Sequence, residues 1–300
     1  MKQIPSLNTI IHPHYPELIE KLAAIIRSSE QKYCRHHPDG ADSFLWEHTV
    51  QVASIAAKLA IDEGHDPLFP VIAALFHDCG KFNCGCYHED DTPEEEHSAR
   101  QAEELLAEAG MQDQDIQTVV DSLIALYNED AGDNAITAIV HDADFLSKSG
   151  PIGVANFFTK AALRGKTMGN TILQSLSKEL TYAFHLPGNM RTAAGKDLAR
   201  SKQRVALDYY KALLQDLRVS NIAKFSIREF KVRTDREDYE TIDIILVIPD
   251  VCPNCGGVST FDFSTRNDIK CTKLIARSTC VNCEDEREIS FCLPEIKGIH

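Results

Sequence analysis

Long apolar runs and basic charge are what this 300-residue sequence lacks most clearly. Its longest apolar stretches, such as VIAALF, are far too short to cross a bilayer, and the amino-terminal MKQIPSLNTIIHPHYPE contains no long apolar run. The formal net charge is −14, which disfavours general binding to nucleic acids because phosphate contacts need Lys and Arg. We therefore expect a soluble, cytoplasmic protein, away from membranes, in which local basic clusters could still hold a small phosphorylated ligand.

Cysteine is plentiful, but nothing in the sequence indicates secretion, so a metal site in a reducing compartment is expected rather than disulfides. Six of the ten cysteines lie between residues 252 and 292. Four of them form the pattern CxxC-x24-CxxC, namely Cys252, Cys255, Cys280 and Cys283. Two such knuckles bring four thiolates into the tetrahedral geometry that Zn²⁺ prefers. The pattern resembles a zinc ribbon and predicts a structural zinc; Cys271 and Cys292 are spare thiols that could substitute in the shell.

Helical periodicity dominates the sequence up to about Leu217. The pattern predicts helices at 17–32, after Asp42 or Ser43, at 67–76, from about Pro93 to Gly110, at 113–127 and at 134–148. Residues 222–232 and 239–248 are rich in Ile, Val and Phe and flank the charged turn TDRED, which predicts a β-hairpin. The sequence therefore predicts a mainly α protein with an all-α domain at 1–218 and a small β, zinc-ribbon-like domain at 219–300.

Two histidines and two aspartates in the helical part form a candidate metal site. They lie in FLWEHTVQVAS, AALFHDCGK and IVHDADFLSKSG, and are His48, His77, Asp78 and Asp144. The helical spacing of apolar neighbours turns the first and last of them toward the core. Two imidazoles and two carboxylates suit Mn²⁺, Fe²⁺ or Mg²⁺ and leave coordination positions open for water and a phosphate oxygen. This composition predicts hydrolysis.

The order of these motifs resembles the HD-domain metal-dependent phosphohydrolase superfamily over about residues 20–215. HDCGK is similar to its HD-x-G-K core, DADFLSKSGPIGVANFF to the segment around its last Asp, and HLPGNMRTAAGKDLA to the carboxy-terminal helices of one bacterial branch. The resemblance implies an HD-domain helical bundle in which His48, His77, Asp78 and Asp144 hold the metal. The GYP extension of cyclic-dinucleotide phosphodiesterases is absent, which argues against that activity.

Cations are needed where charge develops on a phosphoryl group. Lys81 is the nearest in sequence to the HD pair, and we predict that it acts on the phosphate together with His97 and Arg100. His97 has local helix capping as an equal alternative. Further candidate cations are Lys148, Lys160, Arg164 and Lys166.

Several nearby residues have alternative interpretations. Asp142 competes with Asp144 for the last ligand position and otherwise supports a ligand, and His141 is expected on the helix surface. In some branches of the superfamily, histidines in the interval occupied here by His88 and His97 build a second metal site. A further group, Cys79, Cys84 and Cys86, is interpreted as ordinary thiols, with a soft-metal site or redox switch as the alternative.

Three functions compete. The first is a phosphohydrolase acting on a nucleotide or another small phosphorylated metabolite. The second is a ligand-binding module without turnover whose zinc ribbon docks a protein, and the third is an oxygenase, which needs two irons and additional ligands. Residues 219–300 carry 11 Lys and Arg against 14 Asp and Glu, a net charge of −3. Protein contact, homo-oligomer formation or a lid is therefore expected of the ribbon, rather than nucleic-acid binding.

Overall fold

The computed structural model of the chain describes residues 4–34, 43–82, 93–126, 134–234, 241–252, 254–268 and 271–293. The chain divides into two compact units. The first holds the residues up to Lys148 together with Met190–Leu198, and the second holds Ser149–Asn189 together with the chain from Ala199 onward. The change from helices to strands falls near 218/219, but packing groups several helices with the strands. The assignment of 1–218 and 219–300 as separate domains stays a prediction.

The described residues of the first unit are helical outside their turns. Its helices are α1 (Leu7–Ile11), α2 (Leu18–Tyr33), α3 (Phe44–Glu63), α4 (Leu68–Phe76), α5 (Glu94–Glu108), α6 (Asp113–Ile124) and α7 (Ala135–Ser147), with the start of α11 (Ala193–Val219). Each predicted helix is present with small shifts at its ends. No helix in the described part of the chain has both the length and the apolar character that crossing a membrane requires.

Polar side chains fix the start of α3. Ser43 Oγ accepts a hydrogen bond from the Trp46 amide at 3.0 Å, so Ser43 is the cap, one of the two predicted alternatives. The buried carboxylate of Glu30 on α2 accepts the Ser43 hydroxyl and the Leu45 amide, the latter at 3.2 Å. Together these contacts hold the first turns of α3, which carry His48.

The turn after α4 packs closely against the start of α5. A Cβ atom on Gly80 would lie 2.6 Å from both the Glu94 carbonyl oxygen and the Ser98 amide nitrogen, so only glycine fits. Ser98 Oγ donates to the His77 carbonyl and accepts from the Gly80 amide, each at 3.0 Å. One buried hydroxyl thus fixes the backbone on both sides of Asp78.

Helix α7 is buried along most of its length. Asn134 caps it by accepting from the Ile136 amide at 3.0 Å. The prediction that His141 lies on the helix surface is wrong, since the residue is only 9% exposed. Its ring lies against Phe145, with centroids 4.6 Å apart, and its Nδ1 lies 3.0 Å from an Asp142 oxygen. These contacts remove the His141 ring from the surface where it was expected.

The second unit combines helices with two small sheets. Its helical elements are α8 (Gly150–Leu163), α9 (Met168–Thr171), a π-helical turn (Ile172–Leu176), α10 (Ser177–Asn189) and the rest of α11. Its strands are β1 (Phe225–Val232), β2 (Ile242–Pro249), β3 (Ser259–Asn267), β4 (Thr272–Cys280) and β5 (Glu286–Cys292). Strands β1 and β2 pair antiparallel, and β3, β4 and β5 form an antiparallel sheet in that order. The predicted hairpin is confirmed, although 235–238 of its TDRED turn lie outside the described residues.

Helix α10 packs against β2 through side chains one turn apart. Ser177 Oγ accepts from the Val247 amide at 2.8 Å, and Thr181 Oγ1 accepts from the Ile245 amide at 3.0 Å. The hydroxyls therefore satisfy β2 amides that would otherwise be buried without a partner, which is costly. Helix α10 therefore holds β2, the strand that precedes the first cysteine knuckle.

Candidate metal centre and cysteine cluster

Two imidazoles and two carboxylates meet inside the first unit. His48 Nε2 lies 3.4 Å from His77 Nε2, 3.3 Å from Asp78 Oδ2 and 3.2 Å from Asp144 Oδ1. His77 Nε2 lies 3.5 Å from the Asp78 oxygen and 3.9 Å from the Asp144 oxygen. Neighbouring donors that share one ion at about 2.0–2.2 Å lie roughly 3–3.5 Å apart. The two histidines and Asp78 therefore fit a single divalent ion, and the Asp144 oxygen lies 3.2 and 3.9 Å from the two ring nitrogens. The role of all four side chains as ligands stays a prediction.

Three different helical segments supply these side chains. His48 lies on α3, His77 and Asp78 follow α4, and Asp144 lies on α7. The side chains of the last three are 0–3% exposed, and that of His48 is 18% exposed. His77 Nδ1 lies 2.7 Å from the Ala74 carbonyl oxygen, which can only accept, so Nδ1 donates and Nε2 keeps its lone pair for the centre.

The electrostatics of the cluster are those of a cation site. Burial would raise the pKa of Asp78, but its electrostatic interactions with the His77 ring and with Lys81, together with the contact with His48, hold it well below the usual range. Asp144 behaves in the same way, with Lys148 the largest opposing influence to burial. Both carboxylates are therefore ionised and available as ligands at neutral pH.

The two imidazoles respond differently. Burial alone would lower the pKa of His48, yet hydrogen bonds to Asp144 and Asp78, together with their charges, raise it. For His77 burial prevails over the attraction of the same two carboxylates, and its pKa is lowered. The lowered pKa of His77 favours its neutral ring, whereas the two carboxylates favour the protonated ring of His48.

A lysine contacts each of the two carboxylates, Lys81 at the Asp78 oxygen that also faces the histidines and Lys148 at the Asp144 oxygen that does not. Lys81 Nζ lies 2.6 Å from Asp78 Oδ2 and 3.6 Å from Glu94 Oε1, and Lys148 Nζ lies 2.6 Å from Asp144 Oδ2. Burial, helped by the Asp78 charge, raises the pKa of Glu94 to about 7 despite the opposing charge of Lys81. Nothing in the local sequence pattern of Glu94 indicates that it lies beside the HD pair.

Other predicted residues have more mixed placements. His97 is buried on α5. Among the described residues, it does not belong to the group that could share a metal ion with His48 and His77. Arg100 has a 62% exposed side chain, 3.7 Å from Glu96. Cys79 is buried, and burial raises the pKa of its thiol. Further predicted residues, His88, Cys84 and Cys86, lie outside the described residues, and Lys160, Arg164 and Lys166 belong to the second unit.

Asp142 does not join the four donors. Its oxygens accept from the Arg191 and Thr192 amides at 2.8 Å and from the Thr192 hydroxyl at 2.7 Å, all within the first unit. A Cβ on Gly195 would lie 2.2 Å from Asp142 Oδ2, so the start of α11 closes tightly over this carboxylate. Asp142 therefore anchors the entry into α11, and Asp144 is the aspartate beside the histidines.

The second candidate site is the predicted four-cysteine cluster. Sulfur atoms of Cys252 and Cys283 lie 3.6 Å apart, and those of Cys255 and Cys280 lie 3.5 Å apart. Zn–S bonds of about 2.3 Å in a tetrahedron place sulfurs roughly 3.8 Å from each other, so the cluster fits zinc. Amides of the second knuckle lower the pKa of Cys280 to about 6, which favours the thiolate. Gly256 turns the first knuckle at a φ of 74°.

Cys271 and Cys292 were expected as spare thiols able to replace a cluster cysteine, and this prediction is wrong. The structure joins them in a disulfide that links the residue before β4 to the end of β5. In the same segment the Cys292 amide donates to the Tyr182 hydroxyl at 3.1 Å. The pairing depends on strand register, since Lys273 lies opposite Cys292, and sequence spacing gave no indication of it.

Comparison with known proteins agrees with this geometry. Residues 45–148 match the family described as the HD domain. No curated protein matches the sequence. Among solved structures, YpgQ of Bacillus subtilis has a TM-score of 0.50 and 19% identity, with 68% of this chain and 97% of that chain covered.

Two further structures are similar. YpgQ in complex with ADP gives a TM-score of 0.49 and 20% identity, covering 68% of this chain and 96% of that chain. A predicted HD superfamily hydrolase from an uncultured Thermotogales bacterium gives 0.49 and 18%, covering 70% and 95%. The likeness to the first of these three structures, at 19% identity, concerns the fold and leaves the substrate open.

The segment that matches the HD domain, residues 45–148, contains His48, His77, Asp78 and Asp144. The predicted family resemblance and fold class are therefore confirmed: an HD-domain helical fold is followed by a small carboxy-terminal β region that carries four clustered cysteines.

Proposed function

We propose that this protein is a metal-dependent phosphohydrolase that cleaves a phosphoester or phosphoanhydride bond of a nucleotide or another small phosphorylated metabolite. The observation that carries the proposal is the convergence of two imidazole nitrogens and two carboxylate oxygens within an HD domain. This donor set suits Mn²⁺, Fe²⁺ or Mg²⁺. When bound, such an ion polarises a phosphoryl oxygen and lowers the pKa of water.

The protein's own side chains supply orientation and charge. His77 presents Nε2 because its other nitrogen donates to the Ala74 carbonyl. We assign to Lys81 the stabilisation of negative charge on the phosphoryl group, since it is a largely buried cation beside Asp78. His97 and Arg100 remain proposed phosphate contacts, and Arg100 would have to leave its exposed pair with Glu96.

A small substrate suits the charge of the protein. The net charge of −14 opposes binding to long polyanions, whereas Lys81 and Lys148 supply positive charge beside the centre. Nucleotide pyrophosphatase, nucleotidase and phosphodiesterase activities all fit this arrangement. The proposal also includes a cytoplasmic location, structural Zn²⁺ at the four cysteines, and a protein contact or homo-oligomer formed through the ribbon.

A ligand-binding module without turnover is the alternative, because a complete donor set binds a metal whether or not chemistry follows. An oxygenase with two irons is less well supported. Within the described residues, the histidine and aspartate cluster offers ligands for one ion. Counting metals per chain by elemental analysis separates a mononuclear centre from a dinuclear one.

The decisive experiment is a panel of nucleotides and small phosphate esters tested with Mn²⁺. Release of phosphate or pyrophosphate is expected from at least one compound. His77→Ala should lower that activity by more than about 100-fold, since losing only the partner of a metal ligand costs 10–100-fold. His65→Ala, at an exposed histidine between α3 and α4, is the matched control and should keep full activity. Metal bound at the centre with no turnover on any compound would favour the binding module.

A further inference from the structure

We infer that Ser147 is a positioning residue of the metal centre, which fixes the tautomer of His48 so that Nε2 faces the other donors. This inference rests on the proposed metal site and adds a residue to it. Ser147 is the last residue of α7, three positions after Asp144, and is 1% exposed. Nothing in the local sequence pattern indicates this role.

The direction of the hydrogen bonds follows from what each atom can do. Ser147 Oγ lies 2.7 Å from the Asp144 carbonyl oxygen, which can only accept, so the hydroxyl proton is committed there. The same Oγ lies 3.3 Å from His48 Nδ1. Because the hydroxyl has one proton, Oγ accepts in this second contact and Nδ1 must carry the hydrogen.

The consequence concerns the opposite nitrogen of the ring. In a neutral imidazole with hydrogen on Nδ1, Nε2 carries a lone pair, and this is the atom 3.2–3.4 Å from the other three donors. His77 reaches the same state through the Ala74 backbone carbonyl at 2.7 Å. The centre thus orients one histidine by main chain and the other by a side chain, and only the latter contact can be removed by substitution.

Backbone geometry strengthens the link between the two helices. Gln51, one turn after His48 on α3, donates from Nε2 to the Ser147 carbonyl oxygen at 3.2 Å. Ser147 therefore contacts α3 twice, through its side chain to His48 and through its main chain to Gln51. These contacts hold the Ser147 hydroxyl oxygen next to His48 Nδ1, where it can accept a hydrogen bond. Partners of metal-binding histidines orient the ring in the same way.

The test compares Ser147→Ala with Ser122→Ala. Ser122 is also buried in a helix of the first unit, donates to the Thr118 carbonyl at 2.7 Å and accepts from Asn134 at 3.2 Å, but does not contact the four donors. Ser147→Ala should weaken Mn²⁺ binding, measured by chelator competition, by about 10–100-fold, and Ser122→Ala should leave it unchanged. Zinc content should be the same in both variants. Should Ser147→Ala not fold, Ser147→Cys keeps the volume and replaces the oxygen with a poor acceptor.

A second readout does not depend on the metal. Nitrogen-15 NMR of the metal-free protein should show the Nδ1 hydrogen of His48 exchanging slowly with water in the wild type and in Ser122→Ala, because Ser147 Oγ accepts it. In Ser147→Ala this hydrogen should exchange faster. Unchanged Mn²⁺ affinity together with unchanged exchange of the Nδ1 hydrogen would overturn the inference. Failure of the wild type to bind Mn²⁺ would instead defeat the proposed metal site, and the NMR result would still decide the role of Ser147.

Discussion

The two candidate metal sites of this protein are built on opposite principles. The HD centre takes nitrogen and oxygen donors from three helical segments that span 96 positions of sequence, and three of its four side chains are fully buried. The cysteine cluster takes four sulfurs from two short knuckles, with Cys255 and Cys283 exposed. Four thiolates fill the tetrahedron of Zn²⁺, whereas four histidine and carboxylate donors around an octahedral ion such as Mn²⁺ or Mg²⁺ leave positions open for a substrate. From this contrast we expect the cysteine cluster to stabilise the fold and the HD centre to support chemistry.

Removing a cysteine ligand should have the largest effect on stability. Structural zinc contributes about 10–16 kcal/mol of apparent binding free energy in zinc-finger peptides, and most of it is folding free energy. Cys280→Ser should therefore abolish stoichiometric zinc binding and loosen both knuckles. Elemental analysis, together with hydrogen exchange at the Gly256 and Glu284 amides, measures these changes.

Cys34→Ser is the matched control, because Cys34 is a free cysteine outside the cluster. Zinc content and amide protection should remain as in the wild type. A Cys280→Ser protein that kept one zinc per chain and protected knuckles would remove the basis for calling this site structural.

Two neighbouring aspartates on α7 allow a structural role and a metal-binding role to be compared within one helix. Asp142→Ala leaves the Arg191 and Thr192 amides without their charged acceptor. Hydrogen bonds to charged groups contribute about 1.5–3 kcal/mol each, so the free energy of unfolding should fall by about 3 kcal/mol, as measured by denaturant titration. Hydrogen exchange should locate the loss at the start of α11.

Asp144→Asn should give the reverse pattern. Affinity for Mn²⁺ is expected to fall by more than about 100-fold, because an amide is a weaker donor than a carboxylate, while the start of α11 stays protected. Equal losses of metal in the two variants would show that Asp142 also contributes to the centre.

Sequence reasoning predicted those parts of the molecule that depend on local pattern. Helical spacing placed His48 and Asp144 on inward faces, and the two CxxC pairs placed all four sulfurs in one cluster. Turn chemistry identified Ser43 as a candidate cap before any contact was known. These features follow from residues within a few positions of each other, where periodicity and capping preferences apply.

The parts that escaped prediction depend on contacts between distant segments. Ser147 reaches a histidine 99 positions earlier, and Asp142 accepts from amides 49 and 50 positions later. Glu94 reaches the HD pair because Gly80 allows close approach of two helical segments. Neither helix periodicity nor motif spacing encodes such encounters, since they depend on how the elements pack.

The smallest effect is expected from Lys148, when it is compared with Lys81, the other lysine of the HD centre. Lys81 has a 21% exposed side chain and contacts both Asp78 and Glu94, whereas Lys148 is 54% exposed and contacts Asp144. Exposed ion pairs contribute about 0–1 kcal/mol, so Lys148→Met should lower kcat/KM by less than about fivefold. Lys81→Met should lower kcat by about 100-fold if it stabilises charge in the transition state.

Steady-state kinetics measures the difference in kcat and kcat/KM between the two variants. Lys58→Met is the control, because Lys58 forms an i,i+4 ion pair with Asp62 on α3. The loss in Lys81→Met should appear mainly in kcat, because transition-state charge is affected more than ground-state binding. Similar losses in both variants would mean that burial does not decide which cation acts. A loss confined to Lys148→Met would assign the phosphate contact to the other side of the centre, beside Asp144.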